Sequence, residues 1–117
     1  MGERNLDLIF AALAQPTRRR IVGHLAMGTA TVNELVAKFD VSQPTISSHL
    51  KVLERSGVIR RSRVAQTRPC ELDPEALDVV GAWLGDMRSV YEANYNRLDT
   101  VLEQLKDETK KAGRTNK

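Results

Sequence analysis

Two short helices near the middle of the chain are each marked by a capping signal, and the connection between them is very short. Thr31 followed three residues later by Glu34 forms a capping box, which predicts a helix over residues 32–39. Ser42 can accept a backbone N–H from the turn that follows it, which predicts a second helix over residues 42–55. Two helices joined by so short a connection are typical of a helix-turn-helix, so this feature restricts the fold more than any other.

The flanking segments predict a mainly α protein with one small β-hairpin. Apolar residues at helical spacing predict a first helix around residues 6–13, Pro16 begins a second helix, and a long last helix runs over about 74–108. Residues 58–72 instead form two short runs rich in β-branched residues and arginine, which predicts the hairpin. Because Pro69 has no N–H for a strand ladder, we expect the returning strand to lie at a sheet edge.

Length and composition fit a single domain over residues 1–108, followed by a flexible polar tail at 109–117. The 117 residues are 41% hydrophobic but only 4% aromatic, so we expect an aliphatic core and no aromatic platform for single-stranded nucleic acid. No apolar run approaches the length of a bilayer span, and the N-terminus lacks the pattern of a secretion signal. The single cysteine, Cys70, cannot form an internal disulfide. These features predict a cytoplasmic protein without a membrane partner.

Charge is distributed unevenly along the chain. The formal net charge is only +3, but residues 15–68 hold ten basic and three acidic side chains, a net charge of +7. Residues 69–117 hold seven basic and ten acidic side chains, a net charge of −3. A basic middle followed by a mildly acidic end is the pattern expected where one region binds a polyanion, although a well-solvated surface would also explain it.

The outer face of the second helix in the pair carries hydrogen-bonding side chains and no carboxylate before Glu54. With Ile46, Leu50 and Leu53 directed inward, the helix offers amide and hydroxyl groups that can read base edges in the major groove of double-stranded DNA. An ordinary polar surface helix is the alternative, but serine and threonine lower helix stability, which favours a surface selected for contact. The predicted DNA-binding residues of this helix are Ser42, Gln43, Thr45, Ser47, Ser48, His49 and Lys51.

The hairpin carries arginines with no acidic residue between positions 58 and 70. A hairpin that follows a helix-turn-helix is a wing, whose arginines can lie along phosphates or enter a narrow minor groove. Charges that protect an edge strand from aggregation would account for one or two of these arginines, but not for all of them. The predicted DNA-binding residues of the wing are Arg61, Arg63, Gln66, Thr67 and Arg68.

At this point the chain resembles the ArsR/SmtB family of bacterial winged helix-turn-helix repressors. The resemblance is carried by LAQPTRRRIVGHL and by TVNELVAKFDVSQPTISSHLKVLERSGVIRR, and it continues through RPCELDPEAL. It implies a dimeric protein that binds double-stranded DNA, represses transcription and is associated with the nucleoid when bound. The chain departs from the family at residues 65–67, which replace the common Gly-Arg turn, and at Cys70, where many members have tyrosine.

The long last helix predicts a homodimer. Its apolar residues are spaced by three and four, as in a coiled-coil seam, and a helix of about 35 residues would span roughly 50 Å, more than one small domain covers. Two-fold symmetry in turn predicts a palindromic operator. The predicted dimer interface combines the first and last helices and consists of Leu6, Ile9, Phe10, Leu13, Leu84, Met87, Tyr91, Tyr95, Leu98 and Leu102.

No metal site and no cofactor are predicted. In the family, thiolate sensing uses a Cys-x-Cys pair in the third helix, whereas the matching positions here are Val36 and Lys38, neither of which binds a soft ion. The resemblance also implies Asp and His ligands for sensing in the last helix, and this helix has no histidine. A member that does not sense metal is therefore expected.

The signal that would control the protein is left open. Cys70 is either a redox switch or a small buried hydrophobe. An organic effector could bind around Trp83, Met87 and Tyr91, although such a cluster is more often core. Regulation by abundance alone is equally compatible with the sequence.

Two other functions compete with that of a DNA-binding repressor. A winged-helix module that binds proteins and lacks DNA specificity is the alternative. An enzyme is not expected, since the sequence holds no Gly-rich phosphate loop and no spaced set of catalytic groups.

Overall fold

The computed structural model describes residues 2–62 and 66–115, and within them it contains five helices and one two-stranded antiparallel sheet. Packing divides the chain into two compact units, Met1–Gly81 and Ala82–Lys117. The elements in chain order are α1 (Gly2–Leu13), α2 (Pro16–Leu25), α3 (Val32–Phe39), α4 (Gln43–Arg55), β1 (Ile59–Arg61), β2 (Cys70–Leu72) and α5 (Pro74–Thr115). The predicted mainly α fold with a small β-hairpin is confirmed.

Side-chain caps set the beginnings of the short helices. Thr31 Oγ1 accepts from the backbone N–H of Glu34 at 3.2 Å, and Glu34 Oε1 accepts from the N–H of Thr31 at 3.2 Å, so the predicted capping box is present. Gln15 caps α2 by accepting the N–H of Arg18 at 2.9 Å, a role that the sequence analysis did not assign. Gly57 follows α4 with a φ of 83°, the left-handed conformation expected of it.

The core of the first unit lies where α1, α2, α3, α4 and the hairpin meet, and it is aliphatic as expected. α4 contributes three fully buried side chains, and single residues of α2, α3 and β1 close around them. Each buried leucine or isoleucine contributes about 1.5–3 kcal/mol to folding, so this cluster holds α4 firmly. The fully buried aliphatic side chains are Ile21, Leu35, Ile46, Leu50, Leu53, Val58 and Ile59.

Ile9 belongs to this core, and its predicted place in a dimer interface is wrong. Its side chain is 2% exposed, and Ala12 one turn later is 1% exposed, because this side of α1 faces α2 and α4. Helical spacing marks an apolar stripe but does not say which surface covers it. Among the described side chains of α1, the large apolar ones that are exposed are Leu8 and Phe10, and Leu8 was not part of the prediction.

The hairpin is short, and its second strand has neighbours on both sides. Arg61 pairs with Cys70 across the hairpin, while Cys70 also forms a bridge to Ala30, with N to O distances of 2.7 and 3.1 Å. The expectation that Pro69 places this strand at an edge is therefore wrong at Cys70. Pro69 lacks only its own donor, and its carbonyl still accepts from the Ser62 N–H at 2.9 Å.

The last helix begins at Pro74, as predicted, and continues to Thr115 instead of ending near residue 108. Asp73 Oδ1 accepts the N–H of Glu75 at 3.0 Å and so caps its first turn. Four of the seven additional residues, 109–115, are lysine, alanine or arginine, which are good helix formers and favour the extra turns. Within the described ranges, no helix has the length and hydropathy needed to cross a membrane.

Candidate nucleic-acid interface

The helix-turn-helix is formed by α3, a short turn and α4. Asp40 ends α3 in the left-handed conformation, with a φ of 51°, and Ser42 is already the cap of α4. Left-handed backbone is uncommon outside glycine, but aspartate tolerates it, so the chain reverses within two residues. α3 packs directly on α4, as the sequence predicted.

The face of α4 opposite the core is polar and carries no acidic group before Glu54. Gln43, Ser48 and Lys51 are exposed, and Ser47 is half-buried. These side chains occupy the surface that the sequence analysis assigned to DNA. They can donate and accept hydrogen bonds at base edges, and a phosphate backbone would not repel them.

Two of the predicted DNA-binding residues already have a role inside the protein. Ser42 Oγ lies 3.4 Å from the donating N–H nitrogen of Thr45 and 2.8 Å from Thr45 Oγ1. Both side chains remain exposed, so they can still contact a ligand with their other lone pairs. Their hydroxyl groups hold the first turn of α4 in a fixed geometry.

His49 faces α2 from the side of α4. Its Nδ1 lies 3.3 Å from Arg18 Nη1, and the imidazole is half-buried. Burial lowers the pKa of His49, and the positive charge of Arg18 lowers it further, so both favour the neutral form of the ring. His49 is thus placed at the flank of the predicted DNA face and is held by a neighbouring helix.

Arg18 and Arg19 also bind the C-terminal end of α1. Arg18 Nε donates to the carbonyl of Ala12 at 2.6 Å, and Arg19 Nη1 donates to that of Leu13 at 2.8 Å. The last carbonyls of a helix have no partner within the helix and carry partial negative charge, so cations are favourable there. Part of the basic cluster that the sequence analysis assigned to a polyanion therefore has a structural role. In the sequence, the only indication of this structural role is that the arginines follow shortly after the end of the first helix.

The wing presents fewer free cations than its sequence indicates. Gln66, Thr67 and Arg68 are exposed, and Arg68 has a left-handed φ of 45°. Arg61 points to the same side of the hairpin as buried Cys70, and its Nε is buried without a hydrogen-bond partner among the described residues. The predicted contact at Arg63 lies outside the described residues. Arg68 is therefore the described wing arginine best placed to meet a phosphate.

A stripe of exposed apolar side chains follows α5 through the second unit. Tyr91 and Tyr95 stack with their ring centroids 6.4 Å apart, yet they are 68% and 59% exposed. Contiguous apolar surface of this kind marks an interaction site in a soluble protein. The exposed large apolar residues of this stripe are Trp83, Leu84, Met87, Val90, Tyr91, Tyr95, Leu98, Val101, Leu102 and Leu105.

Cys70 is fully buried, and burial raises the pKa of its thiol, although the nearby Arg61 acts in the opposite direction. A neutral, inaccessible thiol is a poor nucleophile, which favours the hydrophobic role over the redox role.

Among the described residues, no group of three or more His, Cys, Asp or Glu side chains could hold a metal ion. A cavity of about 210 Å³ lies between α1, the end of α4 and the start of α5, apart from the Trp83 cluster that was considered for an effector.

Fold and surface together define a winged helix-turn-helix protein. A family model described as a helix-turn-helix domain matches residues 13–62. The HTH-type transcriptional regulator Rv2034 of Mycobacterium tuberculosis is 40% identical over 74 residues, which cover 63% of this chain and 69% of the relative. The transcriptional repressor SdpR of Bacillus subtilis is 38% identical over 61 residues, which cover 52% of this chain and 68% of the relative.

Solved structures agree with these relatives. The crystal structure of the ArsR family transcriptional regulator RHA00566 has 40% sequence identity and a TM-score of 0.69, covering 77% of this chain and 93% of that one. A homodimeric winged helix-turn-helix DNA-binding domain from Mycobacterium bovis shares the fold, with a TM-score of 0.59 at 20% identity over 74% of this chain and 82% of that one. The chain belongs to the ArsR family of winged helix-turn-helix transcriptional regulators.

Proposed function

We propose that the protein is a homodimeric, sequence-specific repressor that binds a palindromic operator in double-stranded DNA in the cytoplasm. The observation that carries the proposal is the exposed face of α4, which is polar, free of carboxylates before Glu54 and fixed by a capped first turn. A rigid helix of this chemistry suits the major groove, which admits an α-helix and displays a distinct pattern of donors and acceptors for each base pair.

In the proposed complex, α4 reads bases and the wing binds the backbone. Gln43 is exposed in the first turn of α4, and a glutamine side chain can bond adenine N6 and N7 together. Ser47 and Ser48 supply hydroxyl groups one turn further along, and Lys51 supplies a cation for a phosphate. Arg68, with Gln66 and Thr67, anchors the wing, and such backbone contacts fix the register without reading sequence.

The proposed dimer uses the exposed apolar residues of α5 together with Leu8 and Phe10 of α1. The structural neighbour from Mycobacterium bovis, which shares the fold, is described as homodimeric, and this supports the proposal of a dimer. A two-fold axis would present two α4 helices to half-sites about 34–36 Å apart, or a multiple of that distance. Repression follows if the bound dimer covers a promoter. No metal, cofactor or catalytic step enters this mechanism.

A gel-shift titration against the DNA upstream of the protein's own gene, at two salt concentrations, tests the proposal. A retarded complex that survives the higher salt on this DNA, but not on a shuffled duplex, is the expected result. Sedimentation of the free protein should give twice the monomer mass. Equal and weak binding to both duplexes, or no binding, would instead favour a module that recognises proteins.

A further inference from the structure

Arg18 of α2 contacts His49 of α4, and the chemistry of the two groups determines which nitrogen donates the hydrogen bond and which accepts it. Arg18 Nη1 lies 3.3 Å from His49 Nδ1. A guanidinium group can only donate hydrogen bonds, so Nδ1 has to accept and cannot carry a proton. A neutral imidazole with a bare Nδ1 carries its proton on Nε2.

We propose that Arg18 is a positioning residue that fixes the tautomer of His49, so that α4 presents a permanent Nε2–H donor to DNA. This inference rests on the proposed function. The ligand class is a hydrogen-bond acceptor of duplex DNA, either guanine O6 or N7 at a base edge or a phosphate oxygen. His49 lies on α4 at the flank of the predicted DNA face, and its imidazole is only half-buried, so part of the ring remains accessible to a ligand.

The guanidinium of Arg18 is rigidly held, which makes it suitable for this role. Its Nε donates to the Ala12 carbonyl at 2.6 Å, and its Nη2 lies 3.5 Å from the Ala11 carbonyl. Nη1 is the nitrogen that remains for His49. Each of the three guanidinium nitrogens of Arg18 has a partner within the protein, which leaves one N–H each on Nη1 and Nη2. In the proposed role Arg18 acts on DNA through the histidine, and the double-mutant cycle separates this role from a direct contact with phosphate.

The electrostatic setting keeps the histidine in the required form. Burial lowers the pKa of His49, and Arg18 lowers it further, so both favour the neutral ring that the contact requires. A protonated ring would carry a proton on Nδ1, lose the contact with Arg18 and place two positive charges side by side. The contact and the neutral tautomer therefore support each other.

The tautomer can be measured in the free protein by NMR with ¹⁵N-labelled histidine. The chain has two histidines, and His24, whose ring lies edge-on to Phe39 at 5.9 Å, is an internal reference for folding. We expect His49 to show a protonated Nε2 and a bare Nδ1. In Arg18→Met the two tautomers should become mixed, while in the control Arg19→Met His49 should be unchanged. A wild-type His49 protonated at Nδ1 would overturn the proposal without any reference to DNA.

A double-mutant cycle on operator DNA separates action through His49 from direct contact by Arg18. We expect His49→Ala to weaken operator binding roughly three- to tenfold, as for one lost hydrogen bond. Arg18→Met should weaken it less, by about twofold or less, because a mixed population of tautomers still contains the Nε2–H form, and it should have no further effect in the His49→Ala background. An Arg18→Met effect that persists in that background would contradict the proposal.

The same titrations identify the acceptor on DNA. A His49→Ala loss that is confined to the operator assigns the donor to a base edge, and an equal loss on a shuffled duplex assigns it to a phosphate. No loss on either duplex overturns the role of His49. If the wild-type protein binds neither duplex, the proposed function fails. The NMR experiment on the free protein still tests the tautomer of His49, because it does not depend on DNA binding.

Discussion

Arg60 and Glu71 face each other across the hairpin, and Arg60 Nε donates to Glu71 Oε1 at 2.9 Å. In the sequence, no acidic residue lies among the arginines of the wing. The strand register nevertheless places Glu71, the next carboxylate along the chain, opposite Arg60. An exposed pair of this kind contributes little to stability, so its main effect is on the charge that the wing presents. The two partners therefore allow a direct test of the electrostatics of the wing.

Removing the carboxylate should strengthen DNA binding. Glu71→Gln releases the guanidinium of Arg60 and removes a negative charge beside the predicted phosphate path, so affinity for any duplex should rise. The slope of log K against log salt should become steeper by up to about 0.9. Fluorescence anisotropy at several salt concentrations measures both quantities. The control is Glu103→Gln, an exposed carboxylate of α5.

Arg68→Ala should have the opposite effect. It removes an exposed cation from the wing, so binding should weaken equally on operator and shuffled DNA, and the salt slope should become shallower by about 0.9. Arg60→Ala is the matched control, because its charge is already paired, and it should change the slope less. If the two variants behave alike, the pairing does not matter for DNA binding.

Gln43→Ala should impair sequence reading. We expect a loss of about 1–3 kcal/mol on the operator and little change on a shuffled duplex, since an amide that bonds a base edge contributes to specificity. Titrations of both duplexes at one salt concentration measure the difference. Gln104→Ala, at an exposed position of α5, is the control. An unchanged preference for the operator after Gln43→Ala would show that α4 does not read bases through this residue.

Ser42→Ala should destabilise the helix-turn-helix. The Ser42 hydroxyl accepts the Thr45 N–H, and loss of such a cap costs about 1 kcal/mol of unfolding free energy. Urea unfolding followed by circular dichroism measures the change. Ser48→Ala provides the contrast, because alanine is the better helix former at an exposed interior position and should leave stability equal or slightly higher. Similar losses in both variants would argue against the cap.

Leu98→Asp should prevent the proposed dimer from forming. Leu98 is 57% exposed within the apolar stripe of α5, so an aspartate there is harmless to the isolated chain but would be buried unpaired between two copies. Sedimentation equilibrium should show a shift to monomer mass with an unchanged helix content. Asn94→Asp introduces the same charge at an exposed polar position and should remain dimeric. A dimer that survives Leu98→Asp would place the interface elsewhere.

Cys70 should react slowly with thiol reagents in the folded protein. The thiol is buried, and burial raises its pKa, so the reactive thiolate is scarce and inaccessible. The Cys70 thiol has a higher pKa in the folded protein than in the unfolded chain. The free energy of unfolding should therefore fall as the pH rises above the pKa of an unfolded cysteine, about 8.5. Labelling with and without urea, and urea midpoints at pH 7 and 9.5, measure the two effects. Rapid labelling in native buffer would restore the redox role.

Local features of the fold could be predicted from sequence, whereas features that depend on distant contacts could not. Thr31 and Ser42 cap their helices through bonds to the third following residue, so their positions in the chain contain the necessary information. Ile9 was misplaced because an apolar stripe looks the same whether it faces the protein's own core or a second copy. The contact of Arg18 with His49 joins residues 31 positions apart, and no spacing rule indicates it.

The bond between Ser42 and Thr45 has a kinetic consequence. The first turn of α4 is already ordered in the free protein and does not have to fold on the duplex. The free energy of binding therefore contains no entropic cost for ordering this turn. Association should then be limited by diffusion and by long-range attraction between the wing cations and DNA, and differences between operators should be expressed in how long the complex lasts.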